Sequence, residues 1–376
     1  MKEKLINFLE ILIVLILIIA VLFIGYMIYD TFFDEGVDTG IPGVGYPDID
    51  YSQIDKKDKK DDDENIKIVL SENESTNNEQ EVKIENKQLY SQLNKEAKII
   101  YEKLYQNKNN LKTGTYTINF GTGFNYLFTQ NDEDTAYDIL TTSYQAAIEA
   151  FIYENPDVFY LDVTKMYINF EKKTQLFKTQ YNIYINNYGS DNYLAEGFNS
   201  KEEIDECEAK IELLRDAILE KINGKSDLEK LRYIHNYLVD NIDYETTISQ
   251  PNIYNIYGAL ILKECVCEGY AKAFQYLVSA AGFENVIING KATNTTGETE
   301  NHAWNYVKID NAWYAVDTTW DDPIIIGGGK LTESNRYQYF LKGSTTMDRN
   351  HTSSKKFTED SMEFEHPTLS ITDYKY

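Results

Sequence analysis

The stretch ECVCEGYAKAFQYLVSAAG, residues 264–282, constrains this chain more than any other. From Cys267 onward, Tyr270, Phe274, Leu277, Val278 and Ala281 recur at three- and four-residue steps, which set side chains on one face of a helix, and Gly282 supplies a C-terminal stop. Cys267 therefore falls in the first helical turn. There the free backbone N–H groups and the positive end of the helix dipole favour thiolate over thiol. Such a cysteine suits a nucleophile, yet most cysteines are small buried packing residues, and position alone leaves both roles open.

At the start of the chain, Ile11 to Tyr29 contains no charge and is long enough to cross a hydrocarbon core. Lys2 and Lys4 precede this run, and acidic residues follow it with no Lys or Arg until Lys56. That asymmetry predicts residues 1–29 as a cytoplasmic stub and uncleaved transmembrane signal anchor, with the lipid bilayer as a partner and everything after residue 30 outside the cell. Residues 30–87 are polar and acidic, with runs such as DKKDKKDDDEN and SENESTNNEQ, and predict a disordered linker. The formal net charge of -25 argues against nucleic acid as a partner, because a phosphate backbone needs a basic footprint. Only Cys207, Cys265 and Cys267 are present, too few and too poorly spaced for a disulfide framework. The fold must rest on its core.

Residues 88–225 predict a helix-and-sheet region without a site of its own. Leu93, Ala97, Ile100, Tyr101 and Leu104 make a helical stripe, a strand carries Tyr116, Ile118 and Phe120, and a second helix runs from Asp138 to Tyr153. Phe177, Tyr181, Ile183 and Ile185 then alternate with polar residues as a strand with one wet face. Ser200 with Glu203, and Ser226 with Glu229, have capping-box spacing and start two helices that lead to the thiol. Cys207 and His235 lie on the apolar stripes of those helices and read as core residues.

After the thiol helix, HAWNYVKI and AWYAVDTTW flank Asp310 and Asn311 and predict a hairpin. With Asp310 and Asn311 as a two-residue turn, Ile309 faces Ala312, His302 faces Thr319 and Trp304 faces Asp317. His302 and Asp317 are then diagonal neighbours within side-chain reach. Cys267 as attacking thiol, His302 as proton carrier and Asp317 as the carboxylate that orients the ring make the three parts of a cysteine acyl-transfer site. Asp321 and Asp322 are rival carboxylates that look more like a turn before Pro323. A zinc site from Cys265, Cys267 and His302 lacks a fourth ligand, so the reading includes no metal and no cofactor.

CEGYAKAFQYL followed by NHAWNYVKIDNAWYAVDTTWDDP closely resembles the transglutaminase-like core domain, most strongly from Ser226 to Pro323. LRYIHNYLVDNIDYE and YQYFLKGSTTMDRNH resemble its bacterial, membrane-anchored members. The resemblance implies an α+β fold for residues 226–376: a papain-like core in which the cysteine opens a helix packed on an antiparallel sheet. It places a triad on Cys267, His302 and Asp317. It also implies a thioester mechanism on peptide or amide bonds of a peptide or protein substrate without choosing water or an amine as acceptor; the lack of a recognisable calcium loop or amine-binding acidic pocket in the motif region slightly favours hydrolysis over amine cross-linking. Cys265 departs from the pattern and admits a redox or metal role. A binding module on the same fold, without turnover, is the alternative from another class.

Overall fold

Acceptor side chains at Asn94, Asp132, Ser200 and Ser226 decide where four helices of this protein begin. In a computed structural model, the structure describes residues 45–54, 84, 87–176, 178–187, 189–322, 333–359 and 361–376. Helix α1, Lys95–Gln106, starts where Asn94 Oδ1 accepts the Ala97 N–H at 2.7 Å, and it buries Ala97, Ile100, Tyr101 and Leu104. Helix α2, Glu133–Glu154, is capped by Asp132 and is longer than the predicted Asp138 to Tyr153. The cap and the acidic first turn lie ahead of the apolar stripe from which that prediction was read.

Strand β1, Ile118–Gly121, pairs with β3, Lys178–Asn186, which in turn pairs with β2, Tyr167–Gln175. Along β3, Tyr181, Ile183 and Ile185 are buried, as the alternation predicts, while Phe177 of the same pattern lies outside the described residues. Strand β2 was not predicted. Only Ile168 in YINFEKKTQ is buried, and the charged half of the strand hides the period of two. Helix α3, Lys201–Ile222, begins where Ser200 accepts the Glu203 N–H. Helix α4, Asp227–Asn241, carries the full reciprocal capping box of Ser226 and Glu229.

The thiol helix α5, Cys267–Ala280, packs on a four-stranded antiparallel sheet. Its C-terminus is a Schellman motif: Gly282 at φ 92° donates to Ser279 O, and Phe283 donates to Val278 O, both at 3.0 Å. Strands β4, Asp243–Tyr244, and β5, Glu264–Cys265, form a short parallel pair just before the helix. The main sheet has the order β8-β7-β6-β9, with β6 at Asn285–Thr293, β7 at Thr299–Ile309, β8 at Ala312–Val316 and β9 at His351–Ser354. Asp310 and Asn311 both have positive φ, 51° and 61°, and Ile309 faces Ala312 as predicted. The ladder stops at Asn305 and Val316, so Asp317 lies one residue beyond the strand and Thr319 has no partner in it.

The predicted membrane anchor is corrected here. Among the described residues no helix is long and apolar enough to cross a membrane, and Ile11 to Tyr29 lies outside them. The 22-residue helices α2 and α3 have the length, but α2 carries Glu133, Asp134, Asp138, Glu149 and Glu154, and α3 is charged throughout. The signal anchor, the bilayer as partner and the single-pass placement with an extracellular domain are therefore withdrawn. Most of the predicted disordered linker also lies outside the described residues, although Tyr51–Gln53 within it form a 3-10 turn capped by Asp50.

Two contacts seat the thiol helix. A Cβ on Gly269 would lie 2.5 Å from Cys265 Cβ and 2.7 Å from Ile253 O, so only glycine lets the first turn approach β5 this closely. Tyr270 donates its hydroxyl to Ile242 O at 2.9 Å, and the same oxygen lies 2.5 Å from Asp322 Oδ2. The one Tyr270 hydroxyl proton is shared between two acceptors, the Ile242 carbonyl and the Asp322 carboxyl. Burial, opposed by the Tyr270 hydrogen bond and reinforced by Asp243 and Asp240, pushes that carboxyl up to about 7.

Gly269→Ala is expected to cost about 1–3 kcal/mol by overpacking, less the gain in helix propensity, and to lower Tm by several degrees. An unchanged melting curve would show that the Cys265 loop yields. Asp322→Asn tests the buried acid. A carboxyl raised from 3.8 to about 7 makes its full contribution below pH 4 and loses it as pH rises to 7, because the unfolded chain ionises first. The Asn variant lacks that loss, so its Tm relative to the parent should rise between pH 4 and pH 8. A constant difference across that range would contradict a protonated Asp322.

Candidate active site

Helix α5 brings Cys267 to the sheet at its first residue. Val266, the residue before it, is extended (φ -99°, ψ -179°) and offers no side-chain cap, so no side chain competes for the N–H groups of the first turn. Cys267 is half-buried and packs with Tyr153 against Ala271, Ile287 and Ala303. Asn305 Nδ2 donates to Ala271 O at 3.0 Å and ties the helix backbone to β7.

On β7, the His302 side chain is 2% exposed and its Nε2 lies 2.7 Å from Asp317 Oδ2. Cys267 lies near enough to act on the ring, and with Nε2 committed to the carboxylate, Nδ1 is the nitrogen left to face a partner. The structure thus brings Cys267, His302 and Asp317 together in that order. Asp317 is fully buried, and its Oδ1 accepts the N–H groups of Thr319 and Trp320 at 3.1 Å each. These donors are possible because Asp317 sits in the turn past the end of β8, where the chain bends back.

Burial alone would lower the His302 imidazole, but the charge and hydrogen bond of Asp317, with Cys267, hold it well above its ordinary value. Burial would likewise raise Asp317, and the paired imidazoles instead hold it far below the usual carboxylate range. Both directions favour the charged pair. Cys265 is different. Burial, then the neighbouring Cys267 and Asp322, push its thiol far up, and its sulfur packs beneath Gly269.

The rival carboxylates serve elsewhere. Asp321 Oδ2 lies 3.0 Å from Nε2 of the fully buried His235, while Asp322 bonds Tyr270. Burial pushes Asp321 up to about 6 against the pull of His235. His235 is therefore a hydrogen-bonded core residue, and Cys207 lies buried on α3.

One residue was missed. His351, opening β9, lies 3.0 Å from the same Asp317 Oδ2 through its own Nε2. It closes the sequence stretch already noted for its resemblance, but nothing local to YQYFLKGSTTMDRNH indicates that β9 pairs with β6 beside His302. Among the described residues His302, Asp317 and His351 are the group with metal-ligating atoms close together, within 4.8 Å. Those atoms are the donors and acceptor of the two hydrogen bonds, so the cluster is complete as a hydrogen-bonded set. Neither Cys265 nor Cys267 belongs to it.

A cavity of about 570 Å³ takes Glu268 and Lys272 of α5 into its lining, and none of Cys267, His302 and Asp317 lines it. Phe159, Val158 and Ile253 give it apolar walls, and Asp162, Glu196, Glu268 and Lys272 give it charge. Two of its three carboxylates are paired, Glu268 with Lys272 at 2.6 Å and Asp162 with Lys165 at 3.1 Å.

Comparison with protein families matches residues 216–318 to the Transglutaminase-like superfamily. The chain is similar to the Kyphoscoliosis peptidase of Mus musculus, 28% identical over 151 residues, covering 37% of this chain and 22% of the relative. It is also similar to the Kyphoscoliosis peptidase of Homo sapiens, 27% identical over 124 residues, covering 30% and 18%. The chain thus spans about a fifth of the length of the curated relatives it matches. A crystal structure of a TGase superposes with a TM-score of 0.28 at 16% identity, covering 46% of this chain and 49% of that one. The family match covers the whole of α5 and the β6–β8 strands, including Cys267, His302 and Asp317. Residues 216–318 therefore form a transglutaminase-like superfamily domain.

Proposed function

We propose that this protein is a cysteine-dependent acyl-transfer enzyme acting on peptide or amide bonds, with hydrolysis as the main outcome. The observation that carries this reading is the 2.7 Å bond from His302 Nε2 to buried Asp317, with Cys267 at the start of α5 close enough to act on the same imidazole. Because the ionised Asp317 can only accept, His302 carries its proton on Nε2 and presents Nδ1 to the thiol. With His302 held as the imidazolium, Nδ1 already carries the proton given up by the thiol, and the sulfur attacks the substrate carbonyl from that ion pair. The tetrahedral oxyanion would be received by N–H groups of the first turn of α5, which lack a side-chain cap. His302 then returns the proton to the leaving amine, and a thioester remains on Cys267. Water attacks the thioester with the now neutral imidazole as base, which releases the acid and restores the sulfur–imidazolium pair.

Hydrolysis is favoured over amine transfer by the state of the cavity at Glu268, one residue past Cys267 in the chain. An amine acceptor would be held by unpaired carboxylates, and two of the three there are already neutralised by lysines. The apolar walls of Phe159, Val158 and Ile253 suit a side chain of a peptide. The peptidase name borne by the curated relatives, matched over part of this chain, supports the same substrate class.

Limiting iodoacetamide on the folded protein is expected to label Cys267 first, with Cys265 and Cys207 reacting only after unfolding, because burial pushes both thiols up. Mass spectrometry locates the label, and a faster Cys265 would remove Cys267 from the nucleophile role. On general protein substrates, release of new amino termini should fall about a thousandfold or more in Cys267→Ala and in His302→Ala. Incorporation of a fluorescent primary amine with little cleavage would reverse the choice of acceptor. Retained peptide binding with no turnover of either kind would favour a binding module.

A further inference from the structure

Asp317 accepts more than a triad requires. Its Oδ1 takes two backbone N–H groups, and its Oδ2 takes His302 Nε2 at 2.7 Å and His351 Nε2 at 3.0 Å. The four donors fill the carboxylate's lone-pair directions. The two histidines compete for one oxygen.

His351 is built into this place from all sides. Its side chain is 1% exposed, and its Nδ1 lies 2.8 Å from Asn350 Oδ1, while Asn350 Nδ2 donates to Tyr339 Oη at 2.8 Å. The rings of Trp320, Trp304 and Tyr339 stand 4.6, 5.0 and 5.3 Å from its own. His302 is 5.7 Å away, centroid to centroid, with Asp317 bridging the two. The titratable groups that face His351 are thus Asp317, His302 and Tyr339. Asp321 lies one step beyond, engaged with His235 and with the Tyr339 N–H. A histidine so enclosed touches no substrate. What it can affect is the carboxylate.

We propose that His351 is a positioning residue of the Cys267 site: it pins Asp317 beside His302 and takes a share of the Oδ2 acceptor, so that the proton on His302 is held less tightly than by an undivided carboxylate. This role rests on the thiol–imidazole reading given above. An acceptor oxygen that serves two donors stabilises each less, and a general acid that must later release its proton benefits from the weaker hold. The second donor also removes the carboxylate's freedom to rotate away from His302.

The test compares iodoacetate and iodoacetamide at Cys267 of the full chain, across about pH 4 to 11. The anionic reagent is favoured while His302 is an imidazolium, so the pH at which the preference disappears reads the loss of that proton. In His351→Leu, which has no donor, the preference should persist about one pH unit higher. His351→Gln, whose amide still donates to Oδ2, should return the midpoint towards that of the parent. Circular dichroism and thermal melting establish that each variant is folded. An unmoved or lowered midpoint in a folded Leu variant overturns the proposal, as does a Gln variant that behaves like Leu.

Should the Leu variant not fold, ring-nitrogen NMR of the unaltered protein decides the matter. Two strongly hydrogen-bonded Nε2–H protons are expected, and a single one sinks the role of His351. A parent protein with no preference for the anionic reagent at any pH refutes the thiol–imidazole pair itself. That result is distinct from a pair whose midpoint ignores His351.

Discussion

A single buried carboxylate organises the centre of this molecule. Taking Asp317 out of water would cost several kcal/mol if it were unpaired, and the structure offsets that cost by surrounding it with donors from three parts of the chain. The turn after β8 gives two backbone N–H groups, β7 gives His302 and β9 gives His351. Removing any one donor leaves the others to hold a charge that the interior does not tolerate alone. The hairpin turn, the close pairing of β6 with β9 and the bend at Thr319 all converge on this requirement.

Around that anchor the thiol is placed by packing. Gly269 lets the helix start settle on β5, and Tyr270 locks the first turn to Ile242 and Asp322. Gly290 does the same for the sheet: a Cβ there would meet Thr352 O at 2.1 Å and the Trp304 ring at 2.7 Å, so its absence lets β9 and Trp304 close over His302's neighbour in the ladder. The nucleophile's position is thus set by backbone approach distances, and the base's proton by a shared acceptor.

Much of this was legible in the residues. The start of α5 at Cys267, its end at Gly282 and the register of the β7–β8 hairpin followed from periodicity and turn chemistry, which are local. The roles of His235 and Asp321 came half right: the histidine was read as core, but its partner, 86 residues away, was not foreseen. Strand β2 escaped because its exposed, charged half masks the alternation. His351 escaped for a different reason. Pairing between β6 and β9 joins segments about sixty residues apart, and no local pattern specifies such a contact. The membrane anchor shows the opposite failure, an inference from an apolar run for which the described residues hold no spanning helix.

The position of β9 at the edge of the sheet has a consequence for the order in which the molecule can be completed. During synthesis the helix, the hairpin and Asp317 leave the ribosome well before His351, so a nascent chain can assemble most of the domain with β6 still an open edge and Asp317 one donor short. The last strand closes both deficits in one step. Maturation of the thiol's surroundings is thereby tied to the arrival of the C-terminal segment, which gives the growing chain a built-in delay before its centre is fully assembled.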